Sequence, residues 1–388
     1  MTASTTLTRD RAVWIAYATV GLWGYVLYSM GPTLAALRDD LDVSRTQIGA
    51  VGTALALGSL AASLAASRLL VRWSQRALLC GACAAIGVAA VGFAVAPGLG
   101  WVLVVAAVLG AGGSLATIVV PLVIQARQPY ARAVALTEAN CVAGLLGAVA
   151  PLAIGAAIAG GAPWWTGLLV GAVAAAGVVA LGRTLPPAPH VTAVAEAHDA
   201  PDGSRLGGPY WRWFGALVCG VAAEFCVSFW AVDYLSSEVR LSDASASGLL
   251  TVFVAGIGVG RLVGGRLAVT RAPSALVGAS FAMLLAGALV FWAWATPAGS
   301  VAGLALLGLG VSVVYPMCLS LAIGAAPPNL AAPATTRAAV GASLAILAAP
   351  FVLGALADAV GPRRAFGLVP ALAVVALMLV AGGRRGAR

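Results

Sequence analysis

The 388-residue chain has no lysine, and only 9% of its residues are charged, against about 25% in an ordinary soluble domain. Acidic residues number 13 and histidines 2, so carboxylate clusters and imidazole ligands are scarce. The 6 cysteines (Cys80, Cys83, Cys141, Cys219, Cys226, Cys318) all lie inside apolar runs, and no C-x-x-C pair has a partner cluster. Neither a structural metal site nor a disulfide framework is expected, and no cofactor is implied. His190 and His198 share one polar stretch that holds no cysteine. The abundance is apolar: 61% hydrophobic residues, with a mean hydropathy of +1.00. A soluble protein of this composition would have too few polar side chains to cover its surface. That excludes a cytosolic enzyme, a secreted disulfide scaffold and a disordered chain. The net charge of +9 comes from arginines placed between hydrophobic runs. There they set membrane orientation and meet anionic lipid heads, so lipids and not nucleic acid are the expected partners.

A spanning helix needs about 20 mostly apolar residues. Twelve such runs are predicted, at approximately 12–36, 46–67, 77–96, 100–124, 133–158, 163–183, 211–236, 246–265, 275–295, 299–325, 335–358 and 365–381. The N-terminus shows no signal-peptide core, so the first span is expected to persist. With both termini in the cytoplasm, sixteen arginines fall inside and five outside (Arg38, Arg45, Arg240, Arg363, Arg364), which decides the orientation. The one long polar stretch, residues 184–210, contains Pro186, Pro187, Pro189 and Pro201 among its prolines and reads as a cytoplasmic linker. The expected organisation is a six-helix bundle at 1–183, the linker, and a second six-helix bundle at 211–388.

The halves repeat. An offset of about 198 residues aligns Ser67-Arg68-Leu69-Leu70-Val71 with Gly265-Arg266-Leu267-Ala268-Val269, and nearly the same offset aligns Ala150-Pro151 with Ala349-Pro350. Parallel repeats with a solute site near the midplane are a transporter architecture. Twelve helices as six plus six, a long central loop and an arginine-rich turn after span two resemble the major facilitator superfamily. The superfamily's G-x-L-x-D-R-x-G-R-R turn survives as Ser67, Leu69, Val71, Arg72, Ser74, Gln75 and Arg76, without its Asp and both glycines. The resemblance implies a cytoplasmic latch at Arg72 and Arg76, echoed by Arg266 and Arg271. It also implies that spans one, four, seven and ten line a cavity. Polar and aromatic residues do concentrate there: Trp23, Tyr25 and Tyr28; Ser114 and Thr117; Glu224, Ser228, Trp230, Asp233 and Tyr234; Ser312 and Tyr315.

An ionisable residue at the bilayer centre costs about 2.5–3.5 kcal/mol and is by default a functional hypothesis. Glu224, deep in span seven, is the strongest case. Desolvation disfavours a charged carboxylate there, which suits a group that takes up and releases a proton. The competing reading is a permanently protonated Glu bonded to a neighbouring helix. Ser228 lies about 40° around the helix from Glu224 and faces the same way. Asp233 points away and is expected to pair with Arg240 at the interface. Arg261, flanked by glycines in span eight, either snorkels or holds a solute or a carboxylate. Glu138 is expected to pair with Arg132, and Asp358 with Arg363 and Arg364. Asn140, Gly144, Gly147, Pro151 and Gly155 form a small-residue seam on span five.

Span seven (Glu224 to Leu235) and the Gly-Arg261-Leu-Val-Gly-Gly-Arg266-Leu run resemble the fucose–proton symporter branch and its sugar-permease relatives. That implies proton-coupled uptake of a sugar-like or other polar solute, with Glu224, Trp230 and Arg261 near the pathway. Spans one and four depart from that branch in carrying no acid. The rival reading is a proton-coupled exporter of drugs or metabolites, whose G-x-x-x-G-P-x-x-G signature appears in altered form at Gly147 to Gly155. A channel lacks its filter, an intramembrane enzyme its reactive cluster, and a sensor an appended soluble domain. The expectation is an all-α, twelve-span monomeric transporter of a small molecule, not an enzyme, in a bacterial plasma membrane.

Overall fold

The computed structural model describes residues 9–128, 131–185 and 206–384. Residues 186–205 of the linker expected at 184–210, His190 and His198 among them, fall outside these residues. Fifteen α-helices and a short 3-10 turn, but no strand, occur among the described residues. Helices are what an apolar chain in lipid must form, because every backbone N–H and C=O has to be satisfied within its own segment.

The order is α1 (Arg11–Tyr28), α2 (Met30–Asp40), α3 (Arg45–Arg72), α4 (Gln75–Ala94), α5 (Leu99–Arg127), α6 (Arg132–Ala159) and α7 (Trp165–Arg183). Then follow α8 (Gly208–Ser237), α9 (Asp243–Leu267), α10 (Pro273–Ala293), α11 (Pro297–Val311), α12 (Val314–Gly324), α13 (Ala331–Val360), α14 (Pro362–Ala365) and α15 (Leu368–Arg384). Eleven helices or joined helix pairs are long and apolar enough to cross a membrane, and α1 with α2 makes a twelfth as one span bent by 42°. Polar side chains start several of them: Asp10, Ser74, Ser242 and Thr296 each accept an N–H of the first turn.

Three spans are each made of two helices (α1 with α2, α11 with α12, α14 with α15), and proline accounts for the breaks in the first two. Pro32 has no N–H to give the carbonyl of Tyr28, four residues earlier, and the chain bends at Ser29. Pro316 likewise cannot serve Ser312, and α11 gives way to α12 across Ser312 and Val313. The hydropathy of the tenth run reads through this break without a sign of it.

Contacts divide the chain into two compact units: Met1–Asp42 with Ala54–Val194, and Val43–Thr53 with Ala195–Arg388. In the first, α1 packs on α6, α5 and α7, and α4 packs on α5 and α7. In the second, α8 is the hub, against α13, α15, α12 and α9. It is also the most enclosed span, with 72% of its apolar window buried.

Glycines set the closest crossings, and they repeat. In the first unit a Cβ on Gly58 would collide with the carbonyl of Ala107, and one on Gly110 with the carbonyl of Leu55, so α3 and α5 touch backbone to backbone. In the second, Gly256 faces the carbonyl of Ala305 and Gly308 that of Phe253, joining α9 to α11. Each residue of the second set stands 198 positions after its counterpart, the offset at which the arginine-rich turns align. Only a residue without a side chain permits such an approach, and lipid-embedded helices gain their contact energy from it.

Candidate functional site

Glu224 is the one carboxyl among the described residues placed deep in a spanning helix. It lies sixteen residues from Gly208 and thirteen from Ser237, the two ends of α8, and is half-buried. Ser228, one turn on, is buried. Trp230 is only 3% exposed, and its indole N–H donates to the carbonyl of Pro350 on α13 at 2.8 Å. Its polar edge is therefore committed to holding α8 against α13.

On α9, Arg261 is exposed, and its Nε–H donates to the carbonyl of Ser312 at 3.4 Å. That carbonyl is the one Pro316 leaves without an intrahelical donor, so the arginine marks the break between α11 and α12. The Ser312 hydroxyl is turned back on Leu309 O at 2.7 Å, while Tyr315, one turn into the break, is 39% exposed. Arg261, Ser312 and Tyr315 thus come together at an interrupted helix, where irregular backbone inside a membrane needs a protein or aqueous partner.

The candidates of the first unit divide between packing and open faces. The Trp23 ring lies over Gly113 of α5, and that of Tyr28 over Gly147 of α6. The Tyr25 hydroxyl is buried and donates to Gly167 O on α7 at 2.6 Å. Ser114 is paired with Ser63 across α5 and α3 at 2.8 Å, and the exposed Thr117 bonds Ser114 O. Asn140 is exposed, with its amide donating to Leu136 O of its own helix. Of the arginines around the α3–α4 turn, Arg76 donates to Leu185 O at 2.8 Å and Arg72 is exposed; Arg266 and Arg271, after α9, are exposed too.

Three acidic side chains have partners that local reading does not supply. Glu138 binds Arg9 rather than Arg132: its carboxylate accepts from Arg9 at 2.6 and 3.0 Å and from the Tyr17 hydroxyl at 3.0 Å. Arg132 turns instead to Gln125 at 3.3 Å. Asp358 meets neither Arg363 nor Arg364; it accepts the N–H groups of Arg45 and Thr46 at 3.1 and 2.7 Å. The buried Asp233 pairs with Arg45 at 2.8 Å. These partners are 129, 313 and 188 residues apart in sequence, so proximity along the chain could not reveal them. The Arg9–Glu138 pair is 44% and 31% exposed, and such pairs stabilise by about 0–1 kcal/mol. Arg9→Gln is accordingly expected to lower the melting temperature only slightly, and a large drop in a thermal melt would contradict this.

A groove of about 440 Å³ lies between α4 and α7, walled by Ala, Gly and Val residues and Trp101. None of the candidate residues reaches it, and its apolar walls suit lipid tails better than a polar solute.

The profile of the Major Facilitator Superfamily matches residues 13–350. The chain belongs to that family. Its members are transporters and not enzymes. Solved structures share the fold at low sequence identity. The nucleoside transporter NupG, in a variant form, superposes with a TM-score of 0.77 at 13% identity, covering 96% of this chain and 98% of its own. A D-xylose–proton symporter gives 0.75 at 14%, covering 95% and 96%. A bacterial homologue of the human lysosomal transporter Spinster, inward-facing and unoccupied, gives 0.69 at 12%, covering 96% and 93%. No curated protein sequence matches. At these identities the superfamily fold is shared and the solute is left open.

Proposed function

We propose that this superfamily member is a secondary active transporter that takes up a small polar solute, sugar-like in character, together with protons. Glu224 carries the proposal. Among the described residues it is the one carboxyl far from both ends of its helix, and α8 is the hub of its unit. A side chain that is costly to place there is retained where its charge is used. In the cycle, solute and proton load from one side, Glu224 becoming neutral, and the proton leaves on the other as the halves alternate access. Arg261, Tyr315 and Ser228 supply polar groups for the solute in the second half; Trp23, Ser114, Thr117 and Asn140 do so in the first. Tyr25, Tyr28 and Trp230, mostly committed to packing, shape the walls around them, with Ser312 at the break. Arg72, Arg76, Arg266 and Arg271 form a cytoplasmic latch. The halves run 1–183 and 211–388 on either side of a cytoplasmic linker, and the protein works as a monomer in a bacterial plasma membrane with both termini inside.

A thermal-shift panel of sugars, nucleosides, amino acids, organic acids and lipophilic cations tests the solute class, because a ligand that binds only the folded protein raises its melting point. Stabilisation by a sugar or another uncharged polar solute is the expected result. Stabilisation by lipophilic cations alone would replace uptake with export of such compounds.

A further inference from the structure

In the second unit, the end of α10 and the turn from α13 into α14 and α15 form one fixed corner. α13 stops at Gly361, whose φ of 88° and ψ of 153° suit glycine alone, and the chain turns back through Pro362, Arg363 and Arg364. The Trp292 indole N–H donates to Arg363 O at 2.7 Å, and Arg363 Nη2 returns a bond to Ala293 O at 3.3 Å. The Trp292 ring lies over Gly367, where a Cβ would stand 3.7 Å from it. Beneath, the Tyr234 hydroxyl donates to Trp292 O at 3.1 Å. The rings of Tyr234, Phe291 and Phe366 pack together there, with centroids 4.9, 4.7 and 5.3 Å apart. The backbone of Arg363 cannot shift without opening this aromatic cluster.

The corner displays charge without counter-charge. Arg363 and Arg364 are both exposed, and no carboxylate among the described residues lies within ion-pair distance of either. Asp358, the acid nearest in sequence, spends its oxygens on Arg45 and Thr46. The turn itself does not need these cations. Between its fifth and sixth spans the first unit turns at Gly161, also at positive φ (76°), and enters α7 through Pro163, Trp164 and Trp165.

Depth supplies the partner. By length and composition the last span starts at Pro362 and the ninth ends at Ala293, so both arginines stand where hydrocarbon gives way to headgroups. Trp294, 55% exposed, follows the carbonyl that Arg363 holds, and its ring lies against Gly299. Exposed tryptophan occupies that same level of a membrane. A guanidinium presents parallel N–H donors that match two oxygens of a phosphate. A free anion in water would meet the arginines but leave the indole unused. A phospholipid offers its phosphate to the arginines and its glycerol and first acyl carbons to the ring.

We propose that Arg363, Arg364 and Trp294 form a binding site for one phospholipid with a net negative headgroup, seated on the corner between α10 and α15. The proposal goes beyond the transport reading and depends neither on the solute nor on Glu224.

The test places the full chain in nanodiscs of phosphatidylcholine, with brominated phosphatidylglycerol or brominated phosphatidylcholine as the minor lipid. Bromine quenches nearby indoles, and the share of emission missing from Trp294→Phe belongs to Trp294. Half-quenching of that share is expected at a mole fraction about twentyfold lower for phosphatidylglycerol than for phosphatidylcholine, the scale of two arginines near an anionic surface. Arg364→Gln leaves the bonds among Trp292, Arg363 and Ala293 in place and should cut the preference about fivefold. Arg363→Gln with Arg364→Gln should erase it, and Arg363→Lys with Arg364→Lys should keep most of it, which a misfolded protein would not do. Molar salt should narrow the preference in the parent, because it screens exposed charges. Equal quenching by the two lipids in the parent, or a preference that survives both glutamines, would overturn the site.

Discussion

Glu224→Gln is expected to abolish accumulation of solute against its gradient while leaving exchange of solute across the membrane. Glutamine matches the shape and hydrogen-bonding capacity of the protonated acid, so binding and the conformational cycle should survive. What disappears is the second protonation state. A carboxyl deep in α8 is costly to charge, by about 2.5–3.5 kcal/mol at a bilayer centre, and the cycle is driven by coupling that cost to solute binding and release. With an amide no proton is carried, and a pH gradient across proteoliposomes drives nothing. Uptake in the variant should fall to the level of the passive leak, and its dependence on external pH should flatten. Counterflow, which needs no proton step, should remain within a few-fold of the parent. If proton-driven accumulation persisted in Glu224→Gln, the carboxyl would be a structural hydrogen-bonding group and the proton would travel elsewhere.

Polarity along the chain is legible in the sequence because lipid allows only one kind of solution. Each apolar run must close its own backbone bonds, so the runs predicted at 46–67 or 275–295 have direct counterparts in α3 and α10. The arginine-rich turns at Arg68 and Arg266 likewise point to the offset at which the glycine crossings recur. Breaks are less legible: Pro32 and Pro316 are visible as letters, but a hydropathy window averages over them. Least legible are the ion pairs. Local reading matches Asp233, Glu138 and Asp358 to the nearest arginine, whereas folding brings up arginines and N–H groups more than a hundred residues away. The polar candidates divide in the same way. Tyr25 and Trp230 stand out in sequence as solute-facing aromatics, yet both spend their single donor on a backbone carbonyl inside their own unit. A side chain's chemistry is visible in sequence; the direction it faces is set by the helix packed against it.

Gly110→Val and Gly308→Val are expected to be the most damaging single changes outside the charged groups, and to be so for the same reason. Each glycine presses on a carbonyl of the facing helix, that of Leu55 or Phe253, with no room for a Cβ. Neither carbonyl belongs to a flexible side chain that can turn aside, so α3 and α5, or α9 and α11, must separate along their length. Overpacking in a close-packed interior typically costs about 1–3 kcal/mol, and a forced separation of backbones belongs at or beyond the upper end. Glycines without such a neighbour supply the control. A Cβ on Gly81 or Gly258 meets nothing within 4 Å, so Gly81→Val and Gly258→Val should leave the protein near its parent stability. Thermal melts in detergent, with the recovered monodisperse fraction, distinguish the two classes. Similar losses for Gly110→Val and Gly308→Val would show that one packing solution, used twice at an interval of 198 residues, holds each unit together. A large loss at one position and none at the other would mean that the repeat keeps the shape of the crossing but not its energy.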